Sequence, residues 1–191
     1  MRNTFHGDGL AKVSWIVEVV GAGALVVTAT AVIPQTVRMI KVRSTAGVSP
    51  VWAMLGAVST GVWTAYTAAR GLWWATVADS LACLSYLSSV IVLARHGVRP
   101  RIVAGVSWLG VFALDYIAAD LAGVGTVLAF AFIVQVAPSI WTAYRSSDLL
   151  GASIVTWRLT FAEGVLWFIY GWAKDDAAER RSACSPPLPE C

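Results

Sequence analysis

The chain has 191 residues, of which 58% are hydrophobic and 13% are charged, and its mean hydropathy is +0.69. Soluble domains carry about 25% charged residues, so this composition excludes an ordinary water-soluble domain. The formal net charge of +3 is small and spread over loops, which gives no support to nucleic-acid binding. We therefore predict an all-α integral membrane protein.

Helices that cross a bilayer need about 20 mostly apolar residues. Six segments of this kind follow one another, at 15–37, 50–69, 72–94, 102–119, 121–143 and 151–172. Short basic or Gly- and Pro-containing breaks separate them. Residues 1–14 form an N-terminal segment, and residues 173–191 combine charge, Pro and Ser, which predicts a disordered tail.

An internal repeat relates the two ends of the chain, because the stretch from Gly21 to Tyr66 recurs 104 residues later from Gly125 to Tyr170. The matched pairs are Gly21/Gly125, Val32/Val136, Pro34/Pro138, Gly47/Gly151, Ser49/Ser153, Val51/Val155, Leu55/Leu159, Trp63/Trp167 and Tyr66/Tyr170. Matches at Pro, Gly, Trp and Tyr are harder to obtain by chance than matches at Ala or Val. Internal repeats in a membrane chain are typical of transporters.

Basic residues are distributed unequally between the two ends of the predicted spans. In the loops between spans, seven lie on one side and one, Arg70, lies on the other. The seven are Arg38, Lys41, Arg43, Arg95, Arg99, Arg101 and Arg145. Because cytoplasmic loops carry the excess of Lys and Arg, we predict that these loops are cytoplasmic and that the N-terminus lies outside the cell. We expect the protein to reside in the cell (plasma) membrane.

Two motifs resemble those of a known family. Pro34-Gln35, followed by the basic turn and KVRSTAGVSP, resembles the PQ-loop motif, and Trp63 and Tyr66 match its W-x-x-Y signature. The resemblance covers most of residues 15–172 and is to the SWEET and SemiSWEET transporters of the PQ-loop superfamily. It implies two three-helix bundles joined by one linker helix. The implied units are a first bundle at 15–94, a linker helix at 102–119 and a partial second repeat at 121–172.

The sequence departs from the family pattern in two ways. The second motif reads Ala137-Pro138-Ser139, with Ser in place of Gln, and the stretch after Trp172 is too short and too charged to form the last helix of the second bundle. A six-helix variant, a truncated gene product or a second copy that completes the wall as a homo-oligomer would each account for the missing helix.

The repeated prolines are hinge candidates. Pro34 and Pro138 fall near the predicted cytoplasmic ends of the first and fifth spans, where proline removes a backbone donor and bends a helix. A static kink is the structural alternative. Gln35 has the amide needed to bond the opened backbone, and Ser139 fills that role less fully, so the first span is the better hinge.

Asp79 is the sharpest candidate for a substrate-binding residue. It lies in the middle of the third predicted span, next to Ser80. The resemblance implies an Asn that binds sugar at this position. A carboxyl group at membrane depth usually faces a cavity or a partner, and desolvation favours its neutral form, which makes proton coupling chemically feasible. A protonated Asp that holds helices together is the alternative.

Three more residues complete the predicted site. Glu163 and Trp167 are four residues apart and so share a helix face, and Trp63 is the repeat partner of Trp167. Aromatic faces stack on sugars while polar groups bind their hydroxyls. Packing is the alternative for both tryptophans, and for Glu163 the favoured alternative is an ion pair with Arg158.

These observations predict a transporter that moves a small polar solute, foremost a sugar, by alternating access. A proton-coupled exporter of amino acids or metabolites and a transport-incompetent membrane partner protein are the alternatives. No nucleophile–base pair or metal-ligand motif lies in a span, so we expect neither an enzyme nor a bound metal or other cofactor.

Overall fold

A computed structural model describes the backbone of residues 7–183 and the side chains of residues 15–170 and 172. All regular secondary structure in this part of the chain is helical. The helices are α1 (Gly7–Thr30), α2 (Ile33–Val42), α3 (Pro50–Ala69), α4 (Trp73–Arg95), α5 (Ile102–Arg145) and α6 (Ile154–Ala183).

Three helical stretches of the described chain are long and apolar enough to cross a membrane: Trp15–Val42, Trp73–Arg95 and Ile102–Arg145. Many large apolar side chains point outward, such as Val103 and Ile117 at 79% and 78% exposure. Such a surface is stable against lipid rather than water. The predicted all-α membrane class is thus supported, whereas the six-span arrangement stays a prediction, because α3 carries several hydroxyl side chains and α6 continues into a charged stretch.

The backbone of α5 is interrupted where the sequence predicted a boundary between two spans. Ala119 (φ −142°, ψ 18°) and Asp120 (φ 54°, ψ −153°) leave the helical region. We call the parts on either side the linker arm (102–118) and the second arm (121–145) of α5. Pro138 lies inside the second arm.

The helix α6 extends further than the sequence analysis expected. Residues 173–191 were predicted to be a disordered tail, but α6 continues to Ala183. The helix runs past residue 172, the predicted end of the sixth span, because Ala, Lys, Glu and Arg are good helix formers and extending an existing helix needs no new nucleus. The disorder of the tail stays a prediction. Residues 184–191 lie outside the described part of the chain.

The helices pack around a space between the two repeat halves. Within the first half, α4 packs against both α1 and α3. Between the halves, α1 packs against α6 and α3 against α5. The linker arm covers α3, where the Trp108 indole Nε1 donates to Ser59 Oγ at 2.9 Å and Phe112 joins a buried cluster with Leu128.

The repeated glycines and tyrosines make equivalent contacts across the two halves. A Cβ added to Gly21 of α1 would lie 2.7 Å from Cε2 of Tyr170 in α6, and one added to Gly125 of α5 would lie 2.8 Å from the Tyr66 hydroxyl of α3. Both distances are shorter than van der Waals contact. Each glycine therefore lets its helix approach a tyrosine from the other repeat, which explains why both residue types recur.

The repeated serines Ser49 and Ser153 accept equivalent hydrogen bonds. Ser49 Oγ accepts a hydrogen bond from Trp52 N at 3.3 Å at the start of α3, and Ser153 Oγ accepts one from Thr156 N at 3.3 Å at the start of α6. These are N-caps, which satisfy an amide that has no partner within the helix.

The two W-x-x-Y pairs share one geometry. The rings of Trp63 and Tyr66 meet edge to face with centroids 5.7 Å apart, and those of Trp167 and Tyr170 do so at 5.6 Å. The edge-to-face contact fixes the orientation of each indole. The sequence repeat is therefore also a repeat of local contacts.

Candidate functional site

A cavity of about 1170 Å³ lies between the repeat halves. Ligand pockets typically occupy about 300–1,000 Å³, so this space is large enough for a small molecule. Residues of α1, α3, α4, α6 and the second arm of α5 form its wall. Both repeat halves thus contribute residues to the wall of the cavity.

One end of the cavity opens at the turn between α3 and α4. Leu72, Trp73 and Trp74 line this end, and the two tryptophans are 70% and 71% exposed. Glu18 of α1 lines the cavity as well and is exposed.

Beyond the inner end of the cavity, where Val32 lines it, Gln35 lies in the first turn of α2 and is buried. Its Nε2 donates to the carbonyl oxygen of Gly151 at 2.6 Å, and its Oε1 accepts from Ser153 N at 2.8 Å. Both ends of the amide thus bond the backbone of the opposite repeat. The sequence analysis predicted a backbone partner for Gln35, and this partner lies in the second repeat rather than in the kinked first span.

Two further bonds hold the loops together at this closed end. Gly151 N donates to Ala46 O at 3.0 Å, and Arg38 Nε donates to Leu150 O at 2.8 Å. A Cβ at Gly151 would lie 2.7 Å from Ala46 O, and a Cβ at Gly47, whose φ is +77°, would lie 2.8 Å from Leu149 Cδ2. The two repeated glycines therefore allow the loops to touch.

The two repeated prolines differ in their local backbone. The helical stretch near Pro34 is broken, because α1 ends at Thr30 and α2 begins at Ile33 with Val32 as its N-cap. Proline fits this first helical turn because its missing N–H needs no partner there. Pro138 lies within a continuous stretch of α5. The predicted preference for the first span as the hinge agrees with this difference, and the hinge role itself stays a prediction.

Asp79 of α4 lines the cavity, as predicted, and is half-buried. Its polar neighbour is the hydroxyl of Thr67. That hydroxyl donates to Trp63 O at 2.8 Å and accepts from Thr76 Oγ1 at 3.1 Å. The neighbouring Ser80 is not among the lining residues and donates to Thr76 O at 2.7 Å within its own helix.

Glu163 of α6 lines the same cavity and belongs to a chain of hydrogen bonds. Trp167 Nε1 donates to Thr28 Oγ1 at 2.8 Å, and Thr28 Oγ1 donates to Glu163 Oε1 at 2.9 Å. The ion pair with Arg158 that the sequence favoured is replaced by this contact, and Arg158 is exposed. The reason is that Thr28 of α1 is brought against α6 only by the packing between repeats.

Trp63 and Trp167 line the cavity too, so four of the five predicted binding residues share one wall surface. Sequence reasoning missed Thr28, Tyr86 and Gln135. Gln135 Nε2 donates to Tyr86 Oη at 2.6 Å, and both residues are buried and line the inner end of the cavity. An amide inside the apolar run AFAFIVQVAPS was the available signal.

Within the described residues, no three His, Cys, Asp or Glu side chains are grouped so that they could hold a metal ion. The wall of the cavity instead combines carboxyl, hydroxyl, amide and indole groups. Groups of these kinds are able to form hydrogen bonds and aromatic contacts with a polar molecule. Comparisons with protein-family models, with characterised proteins and with solved structures found no match.

Proposed function

We propose that this protein is a membrane transporter that moves a small polar solute by alternating access. The observation that carries the proposal is the polar-lined cavity between two repeat halves, with exposed side chains at the α3–α4 turn and, beyond its inner end, the bonds from Gln35 to the other repeat. A binding site that lies between repeats and is reached from one side at a time is the general plan of such carriers. The PQ-loop and W-x-x-Y resemblance points to the same class.

In the proposed cycle, Gln35 is the latch of the closed end. Opening this end breaks its bonds to Gly151 and Ser153 and swings α2 about the break at Ala31 and Val32. The Gly–Tyr contacts between the halves act as the pivot because they bring helices of the two halves into close contact. If the basic loops are cytoplasmic, the state described here faces the outside.

The resemblance implies a sugar as the solute. Trp63 and Trp167 both line the cavity, and Asp79, Glu163 and Gln135 supply hydrogen-bonding groups. Apolar sugar faces stack on aromatic rings while their hydroxyls bind polar groups. The same set of groups serves other polar solutes.

Proton coupling is the second candidate, and one observation favours it. Asp79 and Glu163 both line the cavity and lie close enough to interact electrostatically. Two carboxyl groups that share one site are able to take up and release a proton as the solute moves. An exporter of amino acids or metabolites would use this coupling.

The test is uptake into proteoliposomes of pooled labelled sugars and amino acids, with and without an inward proton gradient. We expect protein-dependent flux of at least one pool, and dependence on the gradient would identify the coupled carrier. Ser80→Ala is the matched control for Asp79→Asn, because Ser80 lies beside Asp79 but does not line the cavity. Folded protein that transports no pool would refute the proposal and favour a membrane partner protein.

A further inference from the structure

A second pocket, of about 510 Å³, lies between the C-terminal ends of α2 and α4. Its lining residues come from the last turns of these two helices and from the residues that cap them: Ile40, Arg43, Val92, Arg95 and His96. These residues differ from those that line the central cavity. Each of the two helix ends thus contributes one arginine to the same pocket.

The two arginines lie where apolar stretches of the chain end. Arg43 directly follows the stretch Trp15–Val42, and Arg95 is the last residue of the stretch Trp73–Arg95. Both stretches are long and apolar enough to cross a membrane. Because the ends of spanning helices lie at the level of the lipid headgroups, the pocket lies at the depth of the phosphate groups of a bilayer.

Arg43 has an unusual backbone conformation. It is the C-cap of α2 and lies in the left-handed region, with φ 49° and ψ 35°. Among the described residues other than glycine, only Asp120 also has a positive φ. Glycine usually occupies such a position, because the Cβ of any other residue makes this conformation unfavourable. An arginine at a position that favours glycine indicates that its side chain has a use at this end of α2.

The wall of the pocket combines basic and apolar residues. Arginine binds phosphate groups through paired N–H donors in a fixed geometry. Ile40 and Val92 line the pocket beside the arginines, and Ile40 is 55% exposed. An exposed apolar side chain at the end of a spanning helix is stable against acyl chains rather than water. The pocket therefore suits a molecule that has both a phosphate group and an acyl chain.

We infer that this pocket binds the phosphate group of an anionic phospholipid, with Arg43 of α2 and Arg95 of α4 as its ligands. An anion between the two arginines offsets the repulsion of like charges that line one pocket. Basic pockets at the ends of spanning helices bind anionic headgroups in this way. Basic residues also interact favourably with the carbonyl end of a helix, a role that needs no lipid, and the test separates the two roles. The inference concerns binding alone and does not rest on the proposed transport.

The test measures how much radiolabelled phosphatidylglycerol the purified protein retains when it is immobilised in a neutral detergent. Unlabelled phosphatidylglycerol and phosphatidylcholine with the same acyl chains are compared as competitors, because only the first has a net negative charge. We expect phosphatidylglycerol to compete at a concentration about tenfold or more below that of phosphatidylcholine. Equal competition by the two lipids would overturn the inference.

The double variant Arg43→Gln/Arg95→Gln should lower the affinity for phosphatidylglycerol about tenfold. The matched control is Arg99→Gln/Arg145→Gln, which removes the same charge from residues that do not line the pocket, and it should bind the lipid as before. If the first double variant fails to fold, the single variants Arg43→Gln and Arg95→Gln replace it. Equal losses of affinity in the pocket variant and the control would overturn the inference, because general positive charge would then attract the lipid.

Competition by inorganic phosphate distinguishes the lipid from free phosphate as the ligand. Excess inorganic phosphate is compared with sodium chloride at the same ionic strength, and we expect the labelled lipid to stay bound equally well in both. Displacement of the lipid by phosphate but not by chloride would assign the pocket to free phosphate and overturn the inference.

Discussion

Replacing Gln35 with Ala should open the closed end of the cavity. The change removes two buried hydrogen bonds between the repeats, Nε2 to Gly151 O and Ser153 N to Oε1. Each such bond contributes about 1 kcal/mol net, so the closed state loses about 2 kcal/mol relative to a state that lacks both bonds. Since 1.4 kcal/mol is about a factor of ten, the open fraction should rise about 30-fold.

The assay measures access to the inner cavity from the loop side. Leu128 lines the inner end and is 2% exposed, so Leu128→Cys provides a reporter in a chain whose Cys83, Cys184 and Cys191 are replaced by Ser. A membrane-impermeant thiol reagent is applied to the side that carries the basic loops. While the open state is minor, the modification rate follows its population, so Gln35→Ala should raise the rate about 30-fold.

Two further variants sharpen this test. Gln35→Glu keeps the acceptor for Ser153 N but loses the donor to Gly151 O, and we expect a smaller increase than for Ala. Ser139→Ala is the matched control, since Ser139 is the repeat counterpart of Gln35 but does not bridge the repeats in the described part of the chain. If Gln35→Ala changes the rate of thiol modification by less than twofold, the proposal that Gln35 holds this end of the cavity closed is refuted.

Three other predictions concern the helix contacts and the cavity wall. Gly21→Ala places a Cβ 2.7 Å from a tyrosine ring of α6 and should destabilise the protein by about 1–3 kcal/mol, measured by denaturant titration in detergent. Gly23→Ala is the control, because a Cβ at Gly23 meets nothing within 4 Å and should leave the stability unchanged. Equal stabilities of the two variants would contradict the role of Gly21 in the contact between the halves. Thr28→Val removes the hydrogen bond to Glu163 and should lower solute flux about tenfold. Thr30→Val should leave flux unchanged, because the Thr30 hydroxyl bonds only its own helix. A larger loss of flux in Thr30→Val than in Thr28→Val would show that the bond from Thr28 to Glu163 is irrelevant to transport. Asp79→Asn should abolish solute flux or its dependence on a proton gradient, and flux that is unchanged at every pH would exclude this residue from the path.

Much of the candidate site was predictable because polar groups are rare in apolar spans. Asp79 and Glu163 stood out as carboxyl groups at membrane depth, and Trp63 and Trp167 as a repeated pair; all four line the cavity. Ser80 was chosen only as a neighbour of Asp79 along the chain, and its hydroxyl bonds the preceding turn of its own helix. Adjacent helical residues point in different directions, so proximity in sequence was a poor guide.

The amino-acid sequence by itself determined the membrane class, the positions of the helices and the repeat, because these depend on composition and on local pattern. It also predicted a boundary between spans near Asp120, where α5 is interrupted, and it placed Ser49 and Ser153 at equivalent positions of the repeat. The helix α6 continues past residue 172, where the sixth span was predicted to end, because residues 173–183 contain good helix formers. The orientation in the membrane stays a prediction.

Only the tertiary structure decided which residues meet across the two halves. The bonds from Gln35 to Gly151, from Thr28 to Glu163 and from Gln135 to Tyr86 join residues 116, 135 and 49 positions apart. No periodicity in the chain records such pairs, because they depend on which helices pack together and how closely their glycines allow them to approach. Helix packing therefore gathered a scattered set of polar and aromatic residues into the wall of one cavity.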